Sequence, residues 1–464
     1  MSTKTLEVIN PYNEQMVFTA PMLASAQVDG LVAHARAAYE SWRWTPVSER
    51  QALCRRFIAA FDAEKENIAN NIALQMGRPV KHALGEVATA LDRADYMTTI
   101  AEETLKDEYL PQKEKFVRYI RHEPLGVVLD IAAWNYPLLI AVNVIVPAVL
   151  AGNAVLVKHS SRTPLCGRAF VEAFAKAGAP AGLVQEVIAD HQVTAEIMQH
   201  PGVNYVSFTG SVRGGHEIMH TTHGKFMGVG LELGGKDPAY VCADAPFEFA
   251  AENCVDGAFY NAGQSCCAIE RIYVDRAIYD DFVEAYAAKT LGYILGDPLE
   301  ETTSLGPMAD KNAPAFLGGQ VRDAVAKGGK LVVDPASFDK PAQGWFMAPA
   351  VVADAPQDCA LMQEESFGPV IGIRAVDSEE EAVRLMNDSP YGLTASIWTT
   401  DIGRAKRLGP QIETGTVFMN RADYLDPALP WTGVKDTGKG ASLSHYGFLN
   451  LTQLKSMHLR VELP

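Results

Sequence analysis

The stretch LGVVLDIAAWNYPLLIAVNVIVPAVLAGNAVLVKH, residues 125–159, decides the fold. Two short apolar runs, LGVVLDIAA and NAVLVK, flank a segment long enough for a helix. A strand covered on both faces reads as an unbroken apolar run, and parallel strands need a crossover helix between them, so the pattern predicts a βαβ unit. No residue from Ile131 to Val157 is charged, and the window is long enough to cross a bilayer. Asn135, Asn143 and Asn153, with Pro137 and Pro147, would be costly in lipid, so the window reads as buried core and not as a membrane span.

Working outward, LVQEVI (183–188) and VNYVSF (203–208) repeat the texture around the helix-length segment Cys166 to Gly178, as in a doubly wound nucleotide-binding sheet. A second series starts at Leu231, with DPAYVC, RIYVD, KLVVD and VIGIRAV as strands and Phe247 to Asn261 as a helix. Upstream, Leu53, Phe57, Ile58, Phe61, Ile68 and Ile72 recur at helical spacing, predicting one amphipathic helix from Ser48 to about Gly77 and Pro79. FVRYIRH (116–122) and the C-terminal LTQLKSMHLRVEL read as exposed strands, whose open edges call for partners.

The 464 residues carry 40 Lys and Arg against 56 Asp and Glu, a formal net charge of −16. That balance gives no electrostatic reason to bind nucleic acid or an anionic membrane. Seven cysteines, two of them adjacent, do not form a paired framework, so a reducing compartment is expected. The first thirty residues show no targeting pattern, which makes the cytoplasm the expected location.

Four local features carry chemistry. NAGQSCC (261–267) delivers Cys266 after a glycine turn, and a thiolate is the strongest side-chain nucleophile near neutral pH. Cys267, pointing the other way, reads as structural, and adjacent cysteines without a following His do not make a zinc site. Glu232 in GLELGGK (230–236) is flanked by apolar residues, so burial should raise its pKa and suit it to act as a general base on water. Thr209, Gly210 and Ser211 stand where a strand runs into a helix, a place where free backbone N–H groups favour a phosphate. Asn135 in AWNYP, at a strand end, offers a side-chain amide to a developing oxyanion, although Asn-x-Pro also caps turns.

Taken in order, WNYP, KHSSRTP, FTGS, LELGGK, NAGQSC, EESFGP and WTGVKDTGKG resemble the motifs of the aldehyde dehydrogenase superfamily, over nearly the whole chain. The resemblance implies a Rossmann-like cofactor domain, an α/β catalytic domain and a small β oligomerisation element. It implies oxidation of an aldehyde to a carboxylic acid with NAD or NADP and without a metal. Cys266 would form a thiohemiacetal and then a thioester, Asn135 and the Cys266 N–H would hold the oxyanion, and Glu232 would activate the hydrolytic water. On the cofactor side it implies Trp134, Lys158, Ser161, Arg162, Thr209, Gly210 and Ser211, with Glu365 and Phe367 at the nicotinamide end. The substrate entrance would comprise Tyr136, Ile140, Asn143, Tyr260, Ser265, Tyr424 and Trp431.

Many NAD-specific members carry a Glu three residues after the Lys, where this chain has Ser161 followed by Arg162. Without that carboxylate a 2′-phosphate would not be repelled, so NADP should be tolerated. The entrance residues are mainly aromatic and apolar, pointing to aliphatic or aromatic aldehydes. Succinate semialdehyde is the alternative, with Arg421 as its clamp. A coenzyme A-acylating enzyme would not need Glu232, and a catalytically silent binding protein would not need Cys266, Glu232 and Asn135 together. The expected division is residues 1–230 for cofactor binding, 231–435 for catalysis and 436–464 for the C-terminal return. Residues 106–124 would pair with the last strand in a homodimer or homotetramer.

Overall fold

The computed structural model describes residues 4–422 and 424–463. Among them, Val127–Ala132, Ala154–His159, Val184–Glu186, Tyr205–Thr209 and Gly228–Glu232 form a parallel sheet. Val127–Ala132 lies at its centre, with Ala154–His159 on one side and Tyr205–Thr209 on the other. The chain therefore reverses direction across the sheet at the end of that strand. Loops leaving two neighbouring strands in opposite directions open a crevice there, the usual place for a nucleotide. The segment after the central strand is Ala133-Trp134-Asn135, and the one after its neighbour is Gly210-Ser211.

The uncharged window is core, as its asparagines and prolines required. Pro137–Ala151 is a helix buried over nearly its whole length, started by Pro137 and closed by Gly152 in the left-handed conformation. No helix of the described residues is long and apolar enough to cross a membrane.

A second sheet has the strand order Lys330–Val333, Ala350–Ala353, Val370–Val376, Ile269–Asp275, Asp237–Val241, Thr394–Trp398 and Thr416–Met419. Only its first pair is antiparallel. The helix Phe247–Phe259 packs on it and ends just before the NAGQSC turn. After the second sheet the chain returns to the first, where Gly438–Lys439 pairs antiparallel with Gly228–Glu232.

The two exposed strands find each other within the chain: Thr452–Arg460 pairs antiparallel with Phe116–Pro124, and Glu108–Tyr109 adds a third strand. The single helix expected between Ser48 and Gly77 is two, Val47–Asp62 and Lys65–Met76. The break at Ala63 and Glu64 contains no Gly or Pro, and Glu64 N–H turns back to the Phe61 carbonyl in a tighter i−3 bond. The apolar stripe runs on through Phe57, Phe61, Ile68 and Ile72, all buried, so spacing alone hid the break.

Candidate active site

Of the seven cysteines, Cys266 alone is not buried. Burial pushes the thiols of Cys54 and Cys242 up to about 12, which leaves them inert at neutral pH. Cys266 emerges from a turn in which Asn261 and Ala262 both hold left-handed φ values of 55°. Gln264 fixes that turn from inside: its Nε2 donates to the Asn261 carbonyl at 3.0 Å and its Oε1 accepts from Ala309 N–H at 2.9 Å. Cys267 is buried, with its sulfur 3.5 Å from Ser265 Oγ. Cys266 and Leu425 both pack against a small buried cluster of Cys267, Leu393, Trp431 and Leu443.

Asn135 is buried, and its side-chain Nδ2 has no hydrogen-bond partner. Its backbone carbonyl accepts from Asn261 Nδ2 at 3.1 Å, and Asn261 Nδ2 also donates to the Gln264 carbonyl at 3.1 Å. A free buried amide donor is thereby tied, through one residue, to the turn that presents the thiol. A buried donor without a partner costs stability unless something it binds makes up for it, and an oxyanion would do so.

Glu232 lies at the end of its strand. Its carboxylate accepts from Ser442 Oγ at 2.6 Å and from Thr209 Oγ1 at 3.3 Å. Burial pushes this carboxyl above the usual range, and the Ser442 and Thr209 hydroxyls draw it back down. Thr209 thus serves Glu232, a contact that sequence reading assigned only to the phosphate turn. The next loop is held close: a Cβ on Gly235 would collide with the Cys266 carbonyl oxygen, so only glycine fits.

On the cofactor side, Lys158 and Ser161 border a small cavity of about 20 Å³ together with Glu186, His159 and Pro164. Glu186 was not foreseen; Arg168 pairs with it at 3.1 Å. Arg162 does not reach this cavity. Its guanidinium is held by the Ala309 carbonyl and by Asp310 at 2.6 Å, and it stacks over the Trp134 ring at 5.4 Å. An opposite charge and an aromatic face thus hold Arg162 away from the cavity at Lys158 and Ser161. Ser211 caps the helix Val212–Thr222 by accepting from Gly214 N–H at 3.2 Å, and Gly210 N–H donates to the Glu232 carbonyl at 3.0 Å.

Glu365 accepts from Gly235 N–H at 3.0 Å, and burial together with neighbouring Glu270 pushes its carboxyl up to about 7. Phe367, at φ 53°, meets Trp134 edge to face at 5.6 Å, so the two lobes touch at the crevice. The segment stays in place because Glu270, in a buried pair with Lys236 at 2.7 Å, accepts from the N–H groups of Ser366 and Phe367, both at 2.8 Å. A crevice at the strand reversal, a lysine beside a small cavity and the helix start after Gly210 and Ser211 suit a dinucleotide.

Two cavities of 240 and 200 Å³ share Tyr424 and Leu425. The first is bordered by Tyr136, Leu139, Arg93, Asp256 and Tyr260, the second by Phe418, Arg421, Trp431 and Leu443. Leu425, on both cavities, and Trp431, on the second, belong to the same apolar cluster as Cys266. Tyr136, Tyr260, Tyr424 and Trp431 are thus brought together. Ile140, Asn143 and Ser265 border neither cavity. Ile140 is buried in the helix, Ser265 turns towards Cys267, and Asn143 accepts from Arg93 at 3.2 Å and borders a separate small cavity beside Glu232. The walls also contain Arg421, the clamp expected for the alternative substrate, and Arg93, which was not among the expected entrance residues.

A sequence model described as the aldehyde dehydrogenase family matches residues 1–457. The chain belongs to the aldehyde dehydrogenase family. It is an oxidoreductase, and the covalent cysteine chemistry of that family is its own. It is 34% identical over 447 residues to the succinate-semialdehyde dehydrogenase [NADP(+)] of Deinococcus radiodurans, covering 96% of this chain and 93% of that protein. It is 33% identical over 461 residues to an aldehyde dehydrogenase of Aspergillus niger, covering 99% and 92%. Among solved structures, the betaine aldehyde dehydrogenase of Staphylococcus aureus in complex with NAD+ superposes with a TM-score of 0.94 at 28% identity, covering 99% of this chain and 92% of that one. An NADP dependent enzyme of E. coli superposes with a TM-score of 0.95 at 28% identity, covering 98% and 95%.

Proposed function

We propose that this aldehyde dehydrogenase works through Cys266 as nucleophile, Asn135 as oxyanion donor and Glu232 as general base. The observation that carries the reading is the buried, unpartnered Nδ2 of Asn135, linked through Asn261 to the turn that presents the one unburied thiol. The Cys266 thiolate adds to the aldehyde carbon, and the resulting alkoxide is held by the Asn135 amide and the Cys266 N–H. When bound, the nicotinamide cofactor accepts the aldehyde's hydrogen as hydride. Glu232 then takes a proton from water, hydroxide adds to the thioester, and the C–S bond breaks to release a carboxylic acid and the thiolate.

Lys158 and Ser161 would hold the adenosine ribose, Gly210 and Ser211 the pyrophosphate, and Glu365 and Phe367 the nicotinamide end. With Arg162 engaged elsewhere, tolerance of NADP rests on Ser161 and the Lys158 charge. The substrate is an aldehyde with an apolar or aromatic body, matched to Tyr136, Leu139, Tyr260, Tyr424 and Trp431. A carboxylated aldehyde is the second reading, favoured by Arg421 on the cavity wall, 3.2 Å from the Tyr424 ring centroid, and by the name of the Deinococcus relative. The division at 230/231 and 435/436, a cytoplasmic location and a homodimer or homotetramer built on the three-stranded sheet complete the proposal.

The test is reduction of NAD and NADP against a panel of aliphatic, aromatic and carboxylated aldehydes, with the product identified. The expected product is the free acid without coenzyme A. Acyl-CoA formed only with coenzyme A present would overturn the role of Glu232. Loss of the carboxylated substrate alone in Arg421→Gln would decide for the second reading.

A further inference from the structure

Arg78 stands in the turn between the helices Lys65–Met76 and Val80–Leu105, and its side chain is sealed from solvent. None of the chemical steps draws on it, yet each arm of its guanidinium is engaged. One end nitrogen pairs with buried Glu86 and the other donates to the Asn135 backbone carbonyl. Nε donates to Asn261 Oδ1 at 2.9 Å, and the guanidinium lies 4.2 Å over the Tyr136 ring. Glu86 extends the network, accepting from the N–H groups of Leu138 at 2.8 Å and Leu139 at 3.3 Å at the start of the helix that Asn135 precedes. Asn135 comes from one lobe and Asn261 from the turn leading to Cys266, so one rigid fork touches both halves of the oxyanion site. A lysine ammonium has the charge but not the planar fork.

We propose that Arg78 is the positioning residue of the oxyanion site, fixing the Asn135 amide relative to the Cys266 turn. The proposal rests on the reading of Asn135 as oxyanion donor. Misplacing a catalytic donor by about 1 Å costs about a hundredfold in rate, so the loss of the fork should register in acylation.

The experiment is single-turnover reduction of cofactor, with enzyme in excess over aldehyde, in Arg78→Lys, Asn135→Ala and the double variant. Arg78→Lys is expected to slow acylation by about tenfold to a hundredfold. Cofactor binding and alkylation of Cys266 by iodoacetamide should stay within about twofold, neither needing the oxyanion site. In the Asn135→Ala background the same change should cost almost nothing, because the donor it positions is gone. An equal cost in both backgrounds would overturn the proposal and leave Arg78 a fold residue. Asn135→Ala that acylates at the parent rate would instead overturn the oxyanion reading itself. Asn261→Gly, compatible with the left-handed backbone there, removes the link from the other side and should reproduce the pattern if Arg78→Lys does not fold.

Discussion

Glu232 accepts from two hydroxyls, and its basicity is set by burial against those hydrogen bonds, with a smaller lowering from the Arg93 charge. As a base it works only when ionised, and thioester hydrolysis should rise with pH through a pKa above the ordinary carboxylate range. Removing the Ser442 hydroxyl takes away the larger of the bonds that lower that pKa. Ser442→Ala should therefore move the acid limb of the kcat profile to higher pH, and a limb that stays put or moves down would contradict this. Glu365, pushed up to about 7, gives a second signature. If the ionised carboxylate receives cofactor hydroxyls, cofactor affinity should rise as pH rises through about 7 and lose that dependence in Glu365→Gln. Fluorescence titration of the Cys266→Ala protein checks it without turnover. At Ser161, restoring a carboxylate with Ser161→Glu should turn the kcat/KM ratio towards NAD by tenfold or more, about 1.4 kcal/mol.

At the scale of elements, strands were legible because burial on both faces leaves a largely apolar run, as in Val127–Ala132 and Asp237–Val241, each with one buried Asp. The candidate nucleophile was legible because its turn needs residues of a special kind, and Asn261 and Gly263 both hold positive φ. The supports were not. Arg78 and Glu270 act through partners that lie 183 and 97 residues away, and nothing in their local pattern separates a buried, fully engaged charge from a solvated one. The candidate substrate walls were half legible, since Tyr136 stands in a motif while Arg93 and Asp256 lie on helices whose local pattern looks ordinary. The turn carrying Arg78 depends on Gly77 at φ 85°, where a Cβ would also meet the Pro307 ring at 2.7 Å. Gly77→Ala should cost at least about 1–2 kcal/mol from the left-handed backbone alone, read as a lower urea midpoint. Unchanged stability would mean the turn has other conformations open to it.

Across the whole molecule, two lobes meet at Trp134 on Phe367 and at Arg162 on Asp310, and the third sheet stands outside both cores. In that sheet Leu459 lies opposite Val117 and Met457 opposite Tyr119, with Leu459, Val117 and Tyr109 exposed. An apolar face and an open edge of this kind suit the proposed pairing with a second copy. Deleting residues 452–460 should lower the mass seen by light scattering to that of a single chain; an unchanged mass would move the interface elsewhere.

The central claim is that one sulfur carries the acyl group between oxidation and hydrolysis. Glu232→Gln enzyme, mixed with aldehyde and cofactor and quenched in acid, should retain an acyl thioester found by mass spectrometry on Cys266. Reduced cofactor formed with Cys266 unmodified, or the acyl group found on Cys267, would contradict it.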